Sequence, residues 1–105
     1  MLIRMSKWTT KEGLDQESRR LWEEGVRAVW KNQPGLIQAH LLAEPGTSNR
    51  MTFSVWASAE DYERFRNSQA LRTVTEAYED IYSAGGAPSP EEWKVLTEDW
   101  PALGQ

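Results

Sequence analysis

Tyr62, Arg72, Lys7 and His40 are the side chains of this 105-residue chain best equipped for chemistry. Together they suit the holding of an oxyanion better than nucleophilic attack, for which no apparatus is evident. His40 is the only histidine, and a ring titrating near 6.5 is a natural general base where it faces a pocket. It shares a strand face with Gln38 and Leu42, opposite the more uniformly apolar Ile37, Ala39 and Leu41. That apolar face is expected to pack under helices, which turns His40 toward a seam between subunits; in the second reading His40 binds substrate. Lys7 falls on the Ile3 and Met5 face of its strand and is expected to look toward the helices, where an ammonium can steady a phenolate or enolate. The plainer reading of Lys7 is a snorkelling surface lysine. Arg72 can pair with an oxyanion, or simply with Glu76 one turn away. Tyr62 can orient a substrate oxygen or relay a proton, although Tyr62, Phe65 and Tyr78 at helical spacing also suit a core with wet tips.

Other chemistries lack their residues. The chain has no cysteine, which removes disulfides, thiolate nucleophiles and thiolate metal sites together and suits a cytoplasmic location. One histidine and carboxylates scattered over helix surfaces give no metal-ligand spacing. Gly85-Gly86 precedes prolines instead of opening a helix after a strand, so it is no phosphate loop. A net charge of −4, with no face rich in Lys and Arg, makes nucleic acid a poor partner. No apolar run approaches the roughly 18 residues of a membrane span, and no signal peptide is recognisable. No cofactor and no metal are therefore expected.

The elements that must position these residues follow from periodicity. Leu2 to Thr9 reads as a strand, with Leu2, Arg4, Ser6 and Trp8 on one face. A helix capped by Asp15 carries Leu21, Trp22, Gly25, Val26, Val29 and Trp30 on one side and ends at Pro34-Gly35. Leu36 to Ala43 and Arg50 to Ala57 read as strands joined through Pro45-Gly46 and Ser48-Asn49, hence as antiparallel neighbours. In the second of them Met51, Phe53 and Val55 alternate with Thr52, Ser54 and Trp56. Ser58 and Asp61 form a capping-box pattern, and a helix runs from about Ala59 to Tyr82 with a restart at Ser68. A loop over residues 85–90 and a strand from Glu92 to Trp100 complete the chain.

The order β-α-β-β-α-β is that of an α+β, ferredoxin-like domain, expected to span residues 1–105 as one unit, with an antiparallel sheet and two helices on one face. The opposite face then needs a cover. Trp8, Leu42 and Trp56 at strand positions make a bare sheet improbable, and a homodimer packed sheet to sheet is expected.

Gln33-Pro34-Gly35-Leu36 and the stretch VWASAEDYERF from Val55 to Phe65 resemble the antibiotic biosynthesis monooxygenase family of dimeric α/β barrels. The resemblance covers nearly the whole chain. It implies a cofactor-independent oxidation of a quinol or anthrone by dioxygen, with this small aromatic ligand in a pocket between sheet and helices. The anthrone oxygenases of that family place in their pocket a Trp, a Tyr six residues later, an Arg after a Leu on the second helix and an Asn four before the Trp. Trp56, Tyr62 and Arg72 match the first three, and Thr52 stands at the Asn position. The resemblance thus implies catalytic roles for Arg72, Tyr62 and Trp56 with Thr52 as a substrate contact, and the reading of the residues themselves adds Lys7 to the catalytic set and Phe65 and His40 to the substrate contacts. The haem-degrading branch is disfavoured, because Lys7, Phe65 and Thr75 stand where its Asn, Trp and ligating His belong. Two rival readings remain: a non-catalytic ligand-binding or stress-related dimer, and a small-molecule isomerase that needs His40 in the pocket.

Overall fold

Strand alternation and two serine caps account for most of the architecture in the computed structural model, which describes residues 1–82 and 88–97. β1 is Leu2–Thr9, followed by a helical run made of α1 (Asp15–Leu21), a π-helical turn Trp22–Val26 and α2 (Arg27–Trp30). Then come β2 (Leu36–Ala43), β3 (Asn49–Trp56), α3 (Ala59–Arg66), α4 (Gln69–Tyr78) and β4 (Ser89–Lys94). The four strands form one open sheet in the order β2-β3-β1-β4, and neighbours are antiparallel throughout. β1 and β2 are consequently parallel, with β3 inserted between them, which is the split arrangement of a ferredoxin-like α+β fold.

The π turn has a steric purpose. Residues four apart drift by about 40° per step on an α-helix of 3.6 residues per turn, so Ser18, Trp22, Val26 and Trp30 would wind away from the sheet. At the wider turn the Arg27 N–H reaches back to the Trp22 carbonyl, which takes up part of that drift. Ser18 and Val26 are buried, and Trp22 and Trp30 pack on the core. Asp15 is the first helical residue rather than the cap. Leu14 occupies the cap position without a side-chain bond, and the Asp15 carboxylate instead accepts from Arg50 at 2.9 Å, tying α1 to the start of β3.

Ser58 and Ser68 cap as their spacing predicts, accepting from the backbone N–H groups of Asp61 and Leu71. The Asp61 carboxylate accepts from the Ser58 hydroxyl at 2.8 Å. Gly35, at φ 82°, lies so close to Asp61 that a β-carbon there would collide with its side chain. The Ser68 cap divides the expected long helix into α3 and α4, and α4 ends at Tyr78; Tyr82 instead bridges to Thr10 in extended backbone. The last strand begins at Ser89, three residues before its expected start, because Pro90 sits on an edge strand where its missing N–H does no harm. Its expected end at Trp100 lies outside the described residues.

Two apolar clusters join the helices to the sheet. Leu2, Trp56, Tyr62 and Phe65 form the first, and Trp8, Val26, Tyr78 and Ile81 the second, with Trp30 packing on both. Trp8 and Trp56 thus face the helices, contrary to the expectation that they help make the other face sticky. That open face carries Ile3, Met5, Met51, Phe53 and Val55, set opposite one another by the β1/β3 register, together with exposed Leu42 and Trp93. No helix among the described residues is long and apolar enough to cross a membrane.

Candidate functional site

Between the two clusters the helices leave a pocket of about 220 Å³ over the middle of the sheet. Its floor is a four-residue tile, since the register sets Arg4 opposite Ser54 and Ser6 opposite Thr52. Its walls are mainly aromatic: Trp8 from β1, Trp22 and Trp30 from the first helical run, Tyr62 and Phe65 from α3, and Tyr78 from α4. Trp56 lies in the core beside Tyr62 and Phe65, with ring centroids 5.5 and 5.4 Å away. It is fully buried, and its indole N–H donates to Ser54 Oγ at 3.0 Å, so it supports the pocket and does not line it.

Arg4 is the only charged residue lining this pocket among the described residues. Its guanidinium carbon stands 4.5 Å from the centre of the Tyr62 ring, within range of a cation–π contact, and its Nη1 is 3.3 Å from Glu92 on β4. Burial raises the Tyr62 phenol above its ordinary pKa, with nearby Arg4 opposing that shift. Tyr78 is raised as well, chiefly by burial, and its hydroxyl donates to the Ser18 carbonyl at 2.9 Å. Burial pushes Tyr82 up to about 12. All three phenols keep their protons at neutral pH and can donate hydrogen bonds; none is a base there. The indole nitrogens of Trp8, Trp22 and Trp30 are buried without a partner. As indole is a donor only, the surroundings of the pocket are rich in donors and poor in acceptors.

Of the residues singled out in the sequence, Tyr62, Thr52 and Phe65 line the pocket and Trp56 backs it. Arg72 does not line it: its neighbours Leu71 and Thr75 do, while Arg72 is exposed and makes no ion pair with Glu76 or any other described residue. Lys7 corrects an expectation. It is exposed on the open face, opposite Met51 and Ser89, because Ile3 and Met5 belong to that face and Leu2 and Trp8 to the helical one. His40 is also on the open face, opposite Phe53, with its ring 6.5 Å from that ring and its Nε2 3.2 Å from Gln38. It takes no part in the pocket, which removes the residue that the isomerase reading requires. Sequence reasoning missed Arg4. The signal that finds it is aromatic: Arg4 shares alternation with Trp8, and Trp8 is buried. Among the described residues no group of His, Cys, Asp or Glu converges as a metal site.

A split-βαβ sheet roofed by helices over an aromatic-walled pocket defines a small α+β, ferredoxin-like protein. The family model for antibiotic biosynthesis monooxygenase matches residues 1–77, and the chain belongs to that family. No curated protein sequence matches it. Among solved structures it is similar to SnoaB from Streptomyces nogalater, a cofactor-independent oxygenase, at 14% identity over 99% of this chain and 97% of that one, with a TM-score of 0.77. A protein of unknown function from Nitrosomonas europaea is 17% identical over 96% of this chain and 94% of its own, with a TM-score of 0.77. Rv0793 from Mycobacterium tuberculosis is 10% identical over 94% and 98%, with a TM-score of 0.78. At such identities the likeness is one of fold.

Proposed function

We propose that this chain is a cofactor-independent monooxygenase that oxidises an electron-rich phenol or quinol of one or two rings with dioxygen. The observation that carries the reading is the pocket itself, aromatic in its walls, with a single cation and three hydroxyls on its floor. Size narrows the substrate. An apolar cavity of roughly 150 Å³ takes up benzene, so 220 Å³ suits one or two rings, and a three-ring anthrone would project from the mouth. Membership of the family and the likeness in fold to a cofactor-independent oxygenase support the same class.

The substrate supplies the electrons, and the protein's task is to favour its anion in a dry, donor-rich site. A phenolate with a free para C–H transfers one electron to dioxygen, and the carbon radical and superoxide then combine to form the C–O bond. The proton first lost returns to the peroxide, and removal of the C–H proton breaks the O–O bond. One oxygen atom ends as the quinone carbonyl and the other as water. In this reading Tyr62, held neutral by burial, donates to the developing peroxide, Thr52 and Phe65 fix the ring, and Trp56 holds Tyr62 and Phe65 in place. Lys7, Arg72 and His40 have no part in the chemistry. The open sheet face associates with a second copy, because exposed Leu42 and Trp93 lie there beside the partly exposed Ile3, Met5 and Phe53, with no helix among the described residues to cover them.

Oxygen consumption by chelator-treated protein with one-, two- and three-ring phenols tests the proposal. Uptake above the spontaneous rate, fastest with two rings and reduced by Tyr62→Phe, is expected. Binding of these phenols without uptake would reassign the chain to the non-catalytic binding class.

A further inference from the structure

We propose that Arg4 is the anion anchor of the pocket, and that the pocket selects aromatics carrying an ionised oxygen, a phenolate or carboxylate, over their neutral counterparts. This rests on the pocket being the ligand site proposed above, and it gives that ligand a charge. Three observations converge on it. First, the Arg4 side chain is only 23% exposed, yet it makes one hydrogen bond, to Glu92, although a guanidinium carries five N–H donors in a planar fork. Its remaining donors have no partner among the described residues. Second, the Glu92 contact is loose: 3.3 Å against the roughly 2.7–2.9 Å of a good charge-assisted bond. Glu92 stands on an edge strand with its side chain 48% exposed, so it can return to water when another anion takes its place. Third, the hydroxyls of Ser6 and Thr52 complete the tile beside Arg4 and make no hydrogen bond with a described residue. Ser54 differs, since its hydroxyl accepts from Trp56 and lies 3.5 Å from the Arg4 carbonyl.

Partly buried polar groups that find no protein partner are left to water or to a ligand. Here they are neighbours on one floor, and the cation among them lies over the Tyr62 ring, which keeps the fork from folding away. The geometry therefore offers one anionic oxygen a place at Arg4 and a second ring oxygen a place at Ser6 and Thr52. Burial strengthens the discrimination, because a charge-assisted bond in a site sheltered from water is worth more than at the surface.

Binding rather than turnover provides the test, with 2-naphthoate and its neutral counterpart 2-naphthamide as probes, read by titration calorimetry on the intact chain. Wild type is expected to bind naphthoate at least about tenfold more tightly than naphthamide, a difference of about 1.4 kcal/mol. Arg4→Gln is expected to abolish that ratio by weakening naphthoate far more than naphthamide, with a urea midpoint close to that of wild type showing that the chain is still folded. Glu92→Gln, which removes the competing carboxylate without touching the floor, should tighten naphthoate severalfold. Equal affinity for the two probes in wild type, binding of neither, or an unaltered ratio in Arg4→Gln would overturn the proposal. A ratio that behaves as expected in a protein that consumes no oxygen would leave Arg4 as the anchor and refute only the oxygenase.

Discussion

The two faces of the sheet are built from the same strands and both carry apolar residues, yet they present different kinds of surface. Toward the helices, Leu2, Trp8 and Trp56 are buried and surround the tile of Arg4, Ser6, Thr52 and Ser54. Away from them, Ile3, Met5, Met51, Phe53 and Val55 make an apolar field edged by Lys7, His40 and Gln38. A concave surface with few, concentrated polar groups suits a small molecule. A broad apolar surface with a polar rim suits a second protein surface. Alternation with period two gives strands only eight residues long two such different surfaces.

Trp56→Ala presses hardest on this contrast. Removing a fully buried indole that touches Tyr62 and Phe65 should cost about 3–5 kcal/mol, a large share of a small domain's stability, read as a lower urea midpoint. The matching change on the open face, Phe53→Asp, should leave the folded chain within about 1 kcal/mol of wild type and yield monomers in light scattering. A dimer that survives it would mean that the open face is not the interface.

Alkaline titration probes the helical side alone. The Tyr62, Tyr78 and Tyr82 phenols are all raised by burial, Tyr82 to about 12, whereas an unfolded chain releases such protons near pH 10. Above pH 10 the unfolded state therefore binds fewer protons than the folded one, and stability falls as pH rises toward 12. Urea midpoints at about pH 9 and about pH 11 should show that fall, with the phenolate absorbance appearing only as the chain unfolds. The smallest effect belongs to Arg72→Ala. Exposed and unpaired, it should shift stability by less than about 0.5 kcal/mol and leave naphthoate binding unchanged.

Much of this organisation was legible in the residues. The limits of the first three strands to within a residue, the serine caps at 58 and 68 and the Pro34-Gly35 stop follow from local spacing, whereas Thr52 is singled out by the family resemblance. What escaped was the facing of β1. Ile3 and Met5 look as suited to a core as Leu2 and Trp8 do, because both sides of this strand are apolar and periodicity cannot choose between them. Reading the wrong side inward promoted Lys7 and hid Arg4. Arg72 was misplaced for a related reason: a helix position adjacent to a core leucine is about 100° away from it, which here is enough to leave the pocket. The π turn had no sequence signal, since it responds to packing on the sheet rather than to local propensity.

Isotope labelling with a plugged pocket tests the central claim most directly. Under ¹⁸O₂, wild type should convert a two-ring phenol to a quinone carrying one labelled oxygen, with the other in water. Ser6→Phe, which fills the floor beside Arg4 without touching the open face, should abolish that incorporation while the dimer persists. Labelled quinone formed as fast by the plugged variant as by wild type would place the chemistry elsewhere and contradict the account.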